Sequence, residues 1–291
     1  MNSLQRHTET KPLAGKVILA GAGCGDPELI TVKAARYLQE ADVVLTDRLV
    51  SNEIIRNYVS ERAEVIYVGK QCRRGYSTPQ ASINELIVAH ALKGKMVVRL
   101  KGGDASVFSN ILDELEVLTL HHIPFEIIPG ITAATGAAAY AGIPLTARGY
   151  STAVRFLTLY KSDVVSVESW QELAQTNDTL VFYMSSETLD DLAANLCKHG
   201  ISEDKKLAVV EQATTPFQKV YTCSFSEYAN QLRGKRFISP SLVIIGKVVN
   251  LHAQFNWKNE VNETTHYFTP VGDIRPVIAG QPNTAKHVSR A

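Results

Sequence analysis

The sequence predicts an α/β protein with a mostly parallel N-terminal sheet followed by a second, mixed α/β domain. The chain has 291 residues, which is more than one compact core of ordinary size needs. Short apolar runs alternate with amphipathic stretches in its first half, as in consecutive βαβ units. A new series of apolar runs follows Pro144. We therefore expect domains at 16–146 and 147–252, a polar N-terminal extension at 1–15, and a polar, poorly ordered tail at 253–291.

The first domain is predicted to hold five strands with helices between them. Alternation of this kind favours parallel pairing, because each crossover returns the chain to the same end of the sheet. The expected strands are 17–20, 43–46, 64–68, 96–100 and 125–128, and the expected helices are 27–40, 79–92 and 108–120. An Ala- and Gly-rich run, ITAATGAAAYAGIP, follows the last strand and must pack closely if it is helical. Pro144 is expected to end it.

The second domain is predicted from a further set of apolar runs. Its expected strands are 154–159, 179–183, 207–210, 219–223 and 242–245, with helices near Trp170 and over 188–199. From Ala253 onward the hydrophobic periodicity is lost and polar residues, Pro and Gly dominate. This composition is typical of a tail that packs little.

Charge and cysteine content exclude several classes of protein. Thirty basic residues against 29 acidic ones give a net charge of +1, so no general field attracts nucleic acid or an anionic membrane. The four cysteines lack CxxC spacing, which argues against a zinc site and a disulfide framework. No run approaches the length of about 18 apolar residues that a membrane helix needs, and 1–16 lacks a secretory core. We expect a cytoplasmic protein without a metal.

A glycine turn, Gly21-Ala22-Gly23-Cys24-Gly25, follows the first strand and precedes a helix. Glycines there let backbone amides approach a ligand closely. A dinucleotide fingerprint, GxGxxG, is the competing interpretation. It requires glycine where the chain has Asp26, followed by Pro27, so we reject it.

Polar residues follow the next strands as well. Asp47 ends the second strand and Lys70 follows the third, positions at which open α/β sheets bind ligands. Asp47 capping the next turn and Lys70 lying in solvent are the alternatives. Asp104 follows the fourth strand in a Gly-Gly-Asp turn, and Thr132 stands at a helix start, where it can cap the helix, bind a ligand, or both.

Taken together, these segments resemble the uroporphyrinogen-III C-methyltransferases of the tetrapyrrole methylase family. The similar segments are, in order, GAGCGDPELIT, DRLVS, VGK, VVRLKGGD, IPFEIIPGITAATGAAAYAGIPLT and VRFLT. The resemblance covers about 16–252. It implies the two-domain tetrapyrrole-methylase fold with S-adenosylmethionine in the cleft between the domains. It also implies methylation of two pyrrole carbons, C2 and C7, of uroporphyrinogen III to precorrin-2, a step toward siroheme or cobalamin, in a homodimer.

The resemblance also assigns roles to individual positions. Asp47 corresponds to the family's proton acceptor and Lys70 to its proton donor. The substrate carries eight carboxylates, so we expect Arg48, Lys101 and Arg148 to bind it. The corresponding contacts to S-adenosylmethionine, or to the product S-adenosylhomocysteine, are Gly23, Cys24, Gly25, Gly102, Gly103, Asp104, Val107, Thr132, Ala133, Met184 and Ala213.

Several positions depart from the family pattern. Cys24 replaces a proline, and Ala105-Ser106 replaces Pro-Phe, changes expected to loosen the cofactor loops. Asn110 replaces an arginine and 111–112 replaces two glycines, which should convert a loop into an amphipathic helix with Phe108, Ile111, Leu112 and Leu115 on one face. Near the substrate, Ala147 and Gly149 replace a histidine and an aspartate on either side of Arg148, and Ser77 stands where a histidine is expected.

These departures leave rival interpretations open. One is a divergent paralogue that binds S-adenosylmethionine and catalyses poorly. Another is a methylase of the same fold that acts on a later corrin intermediate or on RNA ribose, against which the neutral charge and the DRLVS and GGD segments count.

Overall fold

The computed structural model describes residues 14–68, 79–159, 165–259 and 265–268. A parallel sheet of five strands contains β1 (Val17–Gly21), β2 (Val43–Thr46), β3 (Glu64–Tyr67), β4 (Val97–Lys101) and β5 (Phe125–Ile128). Their order is β3-β2-β4-β1-β5, with every pairing parallel. The prediction of a parallel N-terminal sheet is confirmed. Because all five strands share one direction, the loops after them emerge at the same end.

Helices cover both faces of this sheet. One apolar core lies under α1 (Val32–Glu40) and α2 (Asn52–Tyr58), and another lies under α3 (Gln80–Leu92) and α4 (Ile111–Leu120). Side chains of the central strands are buried on both faces, which explains their continuous apolar runs.

Two helical predictions in this domain need correction. The helix expected over 27–40 is divided into a 3₁₀ turn, Pro27–Leu29, and α1, because Thr31 is extended and its hydroxyl caps α1 by accepting from the Ala34 N–H at 3.3 Å. Helix α2 was not predicted, since seven residues are too few for a clear amphipathic period.

The second sheet is mixed, as predicted. It contains β6 (Val154–Thr158), β7 (Thr179–Tyr183), β8 (Lys206–Glu211), β9 (Lys219–Ser224) and β10 (Ser241–Gly246), in the order β6-β7-β10-β8-β9. Only β6 and β7 pair in parallel. One of its faces carries α6 (Val167–Gln175), α7 (Leu189–Lys198) and the short α8 (Tyr228–Gln231). The chain continues through a 3₁₀ turn, Ser186–Thr188, before α7, and through Lys247–Leu251 into α9 (His252–Phe255).

Helix α5 (Ala133–Tyr140) joins the two halves of the molecule. It follows β5 of the first sheet, but its buried alanines pack against Val181, Ala208 and Ile244 of the second sheet. Small side chains allow this close approach, as the Ala- and Gly-rich run predicted. The helix ends at Tyr140, before the predicted stop at Pro144, because Gly142 adopts a positive φ of 61° just past its end. The division at 146 and 147 stays a prediction.

A contact inside this helix gives a test of the packing. A Cβ added at Gly136 would overlap the Cys24 Sγ, so Gly136→Ala is expected to lower the free energy of unfolding by about 2 kcal/mol. The double variant Cys24→Ala/Gly136→Ala should recover most of that loss. Urea denaturation measures both. Thr135→Ala, on the exposed face of α5, is the control, and its free energy of unfolding should stay within about 0.5 kcal/mol of the wild-type value. Additive effects of the two substitutions would contradict the contact.

Candidate active site

The loops after β1, β4 and β5 meet at the carboxyl end of the first sheet. Gly23 and Gly103 form a two-way backbone bridge, with N–H to O distances of 3.0 and 2.7 Å. The Gly130 N–H donates to the Asp104 Oδ2 at 2.9 Å, which adds the third loop. Glycine turns that the sequence placed far apart therefore form one surface rich in backbone amides.

Asp104 provides a buried, hydrogen-bonded carboxylate at this surface. It is 8% exposed, and its Oδ1 accepts from both the backbone N–H (2.8 Å) and the hydroxyl (2.7 Å) of Ser106. Burial by itself would raise the pKa of Asp104, but the hydrogen bonds from Ser106, Gly130 and Val107 outweigh burial and hold the pKa below its usual value. Ser106, which stands where the family has Phe, therefore anchors this carboxylate through its backbone and its hydroxyl; the expected loosening of the loop stays a prediction.

This lowered pKa gives a pH-dependent prediction. A carboxylate whose pKa is lower in the folded state stabilises the protein above its unfolded pKa, and that contribution is lost as the pH falls. Asp104→Asn should therefore lower the free energy of unfolding by about 1–2 kcal/mol at neutral pH, and the loss should shrink below about pH 4. Urea titrations of both proteins across this range measure it. A loss that stays constant down to about pH 3 would contradict the assignment.

The second sheet brings the loops after β7 and β8 to the same place. The Tyr183 hydroxyl lies 2.7 Å from the Thr132 Oγ1 and accepts from the Ala134 N–H at 3.0 Å. Thr132 itself makes no capping bond with its side chain, so Tyr183 caps α5 and the simple capping interpretation of Thr132 is wrong. Burial raises the pKa of Tyr183. No sequence pattern marked this residue, because its role depends on a helix 50 residues away in the chain.

A second set of contacts joins the first loop to α5 and to the loop after β8. The Asp26 N–H donates to the Thr214 Oγ1 at 2.9 Å, and the Tyr140 hydroxyl donates to the Asp26 Oδ2 at 2.8 Å. Gly25 approaches Ala213 so closely that an added Cβ would lie 2.7 Å from the Ala213 carbonyl oxygen. Asp26, which stands where a dinucleotide fingerprint needs glycine, thus helps to hold the two halves together.

The backbone is unusual around this cleft. Of the six non-glycine residues with positive φ in the described part of the chain, five lie in these loops: Phe108, Asn110, Met184, Gln212 and Thr214. Such conformations cost free energy and concentrate at functional sites. Met184 is 44% exposed, and Phe108 places its ring 4.9 Å from that of Tyr183. The cleft is therefore built by strained turns from both sheets.

A buried ionic cluster lies behind Asp47. The Glu114 carboxylate accepts from the Arg99 Nε at 3.1 Å and from the Lys101 Nζ at 2.7 Å, and all three residues are at most 5% exposed. The Arg99 Nη2 also lies 3.7 Å from the Asp47 Oδ2, while the Leu49 N–H donates to the Asp47 Oδ1 at 3.0 Å. Asp47 thus keeps partial exposure, and its carboxylate is held from two sides.

Helix α4 supplies Glu114 to this cluster and forms where a helix was predicted. It begins at Ile111 after Asn110, which adopts a left-handed conformation. Ile111 and Leu115 face the core, as expected. Leu112 is 63% exposed, and Phe108 precedes the helix, so their predicted place on the buried face is wrong. The buried face instead includes a charge, because Glu114 neutralises two cations of β4.

A model of the tetrapyrrole (corrin/porphyrin) methylases matches residues 16–229. The chain belongs to the tetrapyrrole methylase family. A siroheme synthase of Vesicomyosocius okutanii is 43% identical over 253 residues, which is 87% of this chain and 54% of that protein. The chain therefore spans about half the length of the curated relatives it matches.

Solved structures of the tetrapyrrole methylases share this fold. The uroporphyrin-III C-methyltransferase of Thermus thermophilus, complexed with S-adenyl homocysteine, is 33% identical and has a TM-score of 0.66, covering 81% of this chain and 94% of its own. A cobalamin biosynthetic enzyme, cobalt precorrin-4 methyltransferase, is 29% identical with a TM-score of 0.71, covering 80% of this chain and 95% of its own. The predicted fold class is confirmed.

The residues expected to bind cofactor in a tetrapyrrole methylase are largely brought together here. The turns at 23–25, 102–104 and 132–133 lie close to one another, and Ala213 approaches Gly25 from the second sheet. Met184 directly follows Tyr183, whose hydroxyl contacts the start of α5. Val107 adjoins Asp104 through its backbone N–H. The Cys24 thiol faces α5, and burial raises its pKa to about 11, so any contact to a ligand would come from its backbone. Their binding roles stay predictions.

The predicted substrate residues are not brought together in this way. The Arg48 Nη2 donates to the Ser239 Oγ at 3.4 Å, at the junction of the two halves. Lys101 is buried against Glu114, and burial lowers its pKa although Glu114 opposes that shift. Arg148 is exposed. The nearby Ser151 hydroxyl accepts from the N–H at the start of β7, whereas Met184 follows the other end of that strand, so Arg148 and Met184 lie at opposite ends of the second sheet. Lys70 and Ser77 lie outside the described residues.

The described residues hold neither a grouped metal site nor a membrane-spanning helix. Among them, no three His, Cys, Asp or Glu side chains are grouped as a metal site. Within the same ranges, no helix has the length and apolar character needed to cross a bilayer.

Proposed function

We propose that this chain is an S-adenosylmethionine-dependent methyltransferase that methylates C2 and C7 of uroporphyrinogen III and yields precorrin-2, in a pathway to siroheme or cobalamin. The observation that carries the proposal is the meeting of five glycine-rich or strained loops from both sheets beside Asp47. Family membership and the likeness to the Thermus thermophilus enzyme support it.

The residues of the cleft fit this cofactor. A Cβ added at Gly103 would meet nothing closer than the Ala133 backbone nitrogen, at 3.9 Å, so the space above this turn is not filled by protein. The Ala133 backbone nitrogen at the start of α5 borders this space, and the N–H of a residue in the first turn of a helix has no partner within that helix. Backbone amides, one anchored carboxylate and the exposed Met184 match a ligand with an amino acid part and a nucleoside part.

In this proposal the chain binds the cofactor and the substrate, orients them, and removes a proton from the methylated ring. Bound S-adenosylmethionine supplies a methyl group on a sulfonium sulfur. The pyrrole carbon that takes the methyl becomes cationic, and Asp47 accepts the proton that the ring then loses. Leu49 and Arg99 hold the Asp47 carboxylate in place for this step. Lys70, which follows β3 in the sequence and lies outside the described residues, is proposed as the proton donor.

Substrate recognition follows from charge. Arg48 is the best supported of the three proposed substrate residues, because its guanidinium lies at the junction of the two halves and has no acidic partner among the described residues. Lys101 acts mainly through Glu114 in this arrangement. Arg148 reaches substrate only if the tetrapyrrole extends beyond the cleft. The predicted homodimer and cytoplasmic location belong to this proposal, and the molar mass from light scattering tests the dimer.

Label transfer tests the proposal. The purified protein is incubated anaerobically with uroporphyrinogen III and methyl-labelled S-adenosylmethionine, and the product mass is followed. A gain of two methyl groups is expected. The helix at Ile111, where the family has glycines, favours the rival view that the chain binds the cofactor without catalysis. Calorimetric binding of S-adenosylmethionine with no label transfer would support that rival and overturn the proposed activity.

A further inference from the structure

Residues 265–268 lie across the edge of the cleft, outside the stretch that the family model matches. We call them the strap. The Tyr267 hydroxyl lies 2.8 Å from the Ser51 Oγ and 3.4 Å from the Gly25 carbonyl oxygen, and Phe268 is 5% exposed. Burial raises the pKa of Tyr267 to about 12, so the ring carries a neutral hydroxyl into this contact. The strap thus contacts two loops of the first sheet.

The strap also contacts the second half of the molecule, chiefly through the side chain of Gln212. The Gln212 Nε2 donates to the Thr265 carbonyl oxygen at 2.8 Å, and the Tyr267 N–H donates to the Gln212 Oε1 at 2.7 Å. This amide pairs with the main chain of residues 265 and 267 as an adjacent strand would. Gln212 is 1% exposed and holds a φ of 46°. A buried amide in a strained conformation is costly unless both of its ends are paired.

We propose that Tyr267 and Gln212 form a latch that retains S-adenosylmethionine or S-adenosylhomocysteine in the cleft. The inference rests on the proposed function, because Gly25 and Ala213 are its proposed cofactor contacts. Gly25 accepts from Tyr267, and Gln212 directly precedes Ala213. By fastening the β1 turn to the β8 turn, the latch opposes the separation of the two loops between which the ligand would leave.

Release of S-adenosylhomocysteine from the full-length protein tests the latch. Tyr267→Pro removes the N–H that donates a hydrogen bond to the Gln212 side chain. Gln212→Asn keeps an amide and tolerates a positive φ, but its side chain is too short to reach both partners. Each should speed dissociation roughly tenfold in stopped-flow displacement, and Tyr267→Phe, which loses only the hydroxyl, about twofold to threefold. His266→Ala, an exposed neighbour in the strap, should release the ligand at the wild-type rate.

A second measurement needs no variant. In the wild-type protein, exchange of the Tyr267 amide hydrogen should slow when S-adenosylhomocysteine is added, because ligand and latch stabilise each other. The latch proposal would be overturned by equal release rates in all variants, or by faster binding with unchanged release. Unchanged exchange of the Tyr267 amide hydrogen would also overturn it. Failure of the wild-type protein to bind the ligand at all would instead overturn the proposed function.

Discussion

Asp47→Asn is expected to lower the turnover of methyl transfer by roughly 100-fold or more, while the affinity for S-adenosylhomocysteine stays within about twofold. The carboxylate is the proposed acceptor of the proton that the methylated ring loses, and an amide of the same size accepts no proton at neutral pH. Leu49 and Arg99 hold either side chain in the same position, so ligand binding in the neighbouring turns should be unaffected.

The same strand offers a matched control. Asp42 precedes β2 just as Asp47 follows it, and its Oδ2 accepts from the Met96 N–H at the opposite end of the sheet. Asp42→Asn should keep wild-type turnover. Label transfer under saturating substrate gives turnover, and calorimetry gives affinity. Equal turnover in the two variants would remove Asp47 from the proposed mechanism, whereas parallel losses of turnover and affinity would make its role structural.

Glu114→Leu is expected to lower the free energy of unfolding by about 3–5 kcal/mol, since it leaves Arg99 and Lys101 buried without their shared counter-ion. Asp47, 3.7 Å from Arg99, compensates only part of that charge. Removing Glu114 also removes a group that raises the pKa of Lys101, so Lys101 should lose its proton more readily. The destabilisation should therefore shrink as the pH rises.

Two controls separate charge from packing in this test. The triple variant Arg99→Met/Lys101→Met/Glu114→Leu removes the whole buried ionic cluster. Its free energy of unfolding should lie within about 1–2 kcal/mol of the wild-type value. Glu116→Leu, on the exposed face of the same helix, should stay within about 0.5 kcal/mol. If Glu114→Leu does not fold, Glu114→Gln in urea gives the same sign with a smaller loss. A triple variant as unstable as Glu114→Leu would show that volume, not charge, matters here.

The sequence by itself determined the strands and the turns that follow them. Strands 43–46, 125–128 and 179–183 were predicted with their observed bounds, because strand periodicity and glycine turns are local properties. The order of motifs GAGCGDPELIT, DRLVS and VVRLKGGD likewise pointed to the family, which the matching model shows. Asp47 was placed at a strand end from the same local pattern.

Only the tertiary structure decided which partner each side chain has. Lys101 and Arg148 look alike as cations beside motifs, yet one is paired with Glu114 and the other lies at the far end of the second sheet. Tyr183 as a helix cap and Gln212 as the support of the strap are contacts between residues about 50 positions apart. Periodicity and propensity describe neighbours in the chain, whereas these roles depend on how the sheets, helix α5 and the strap pack together.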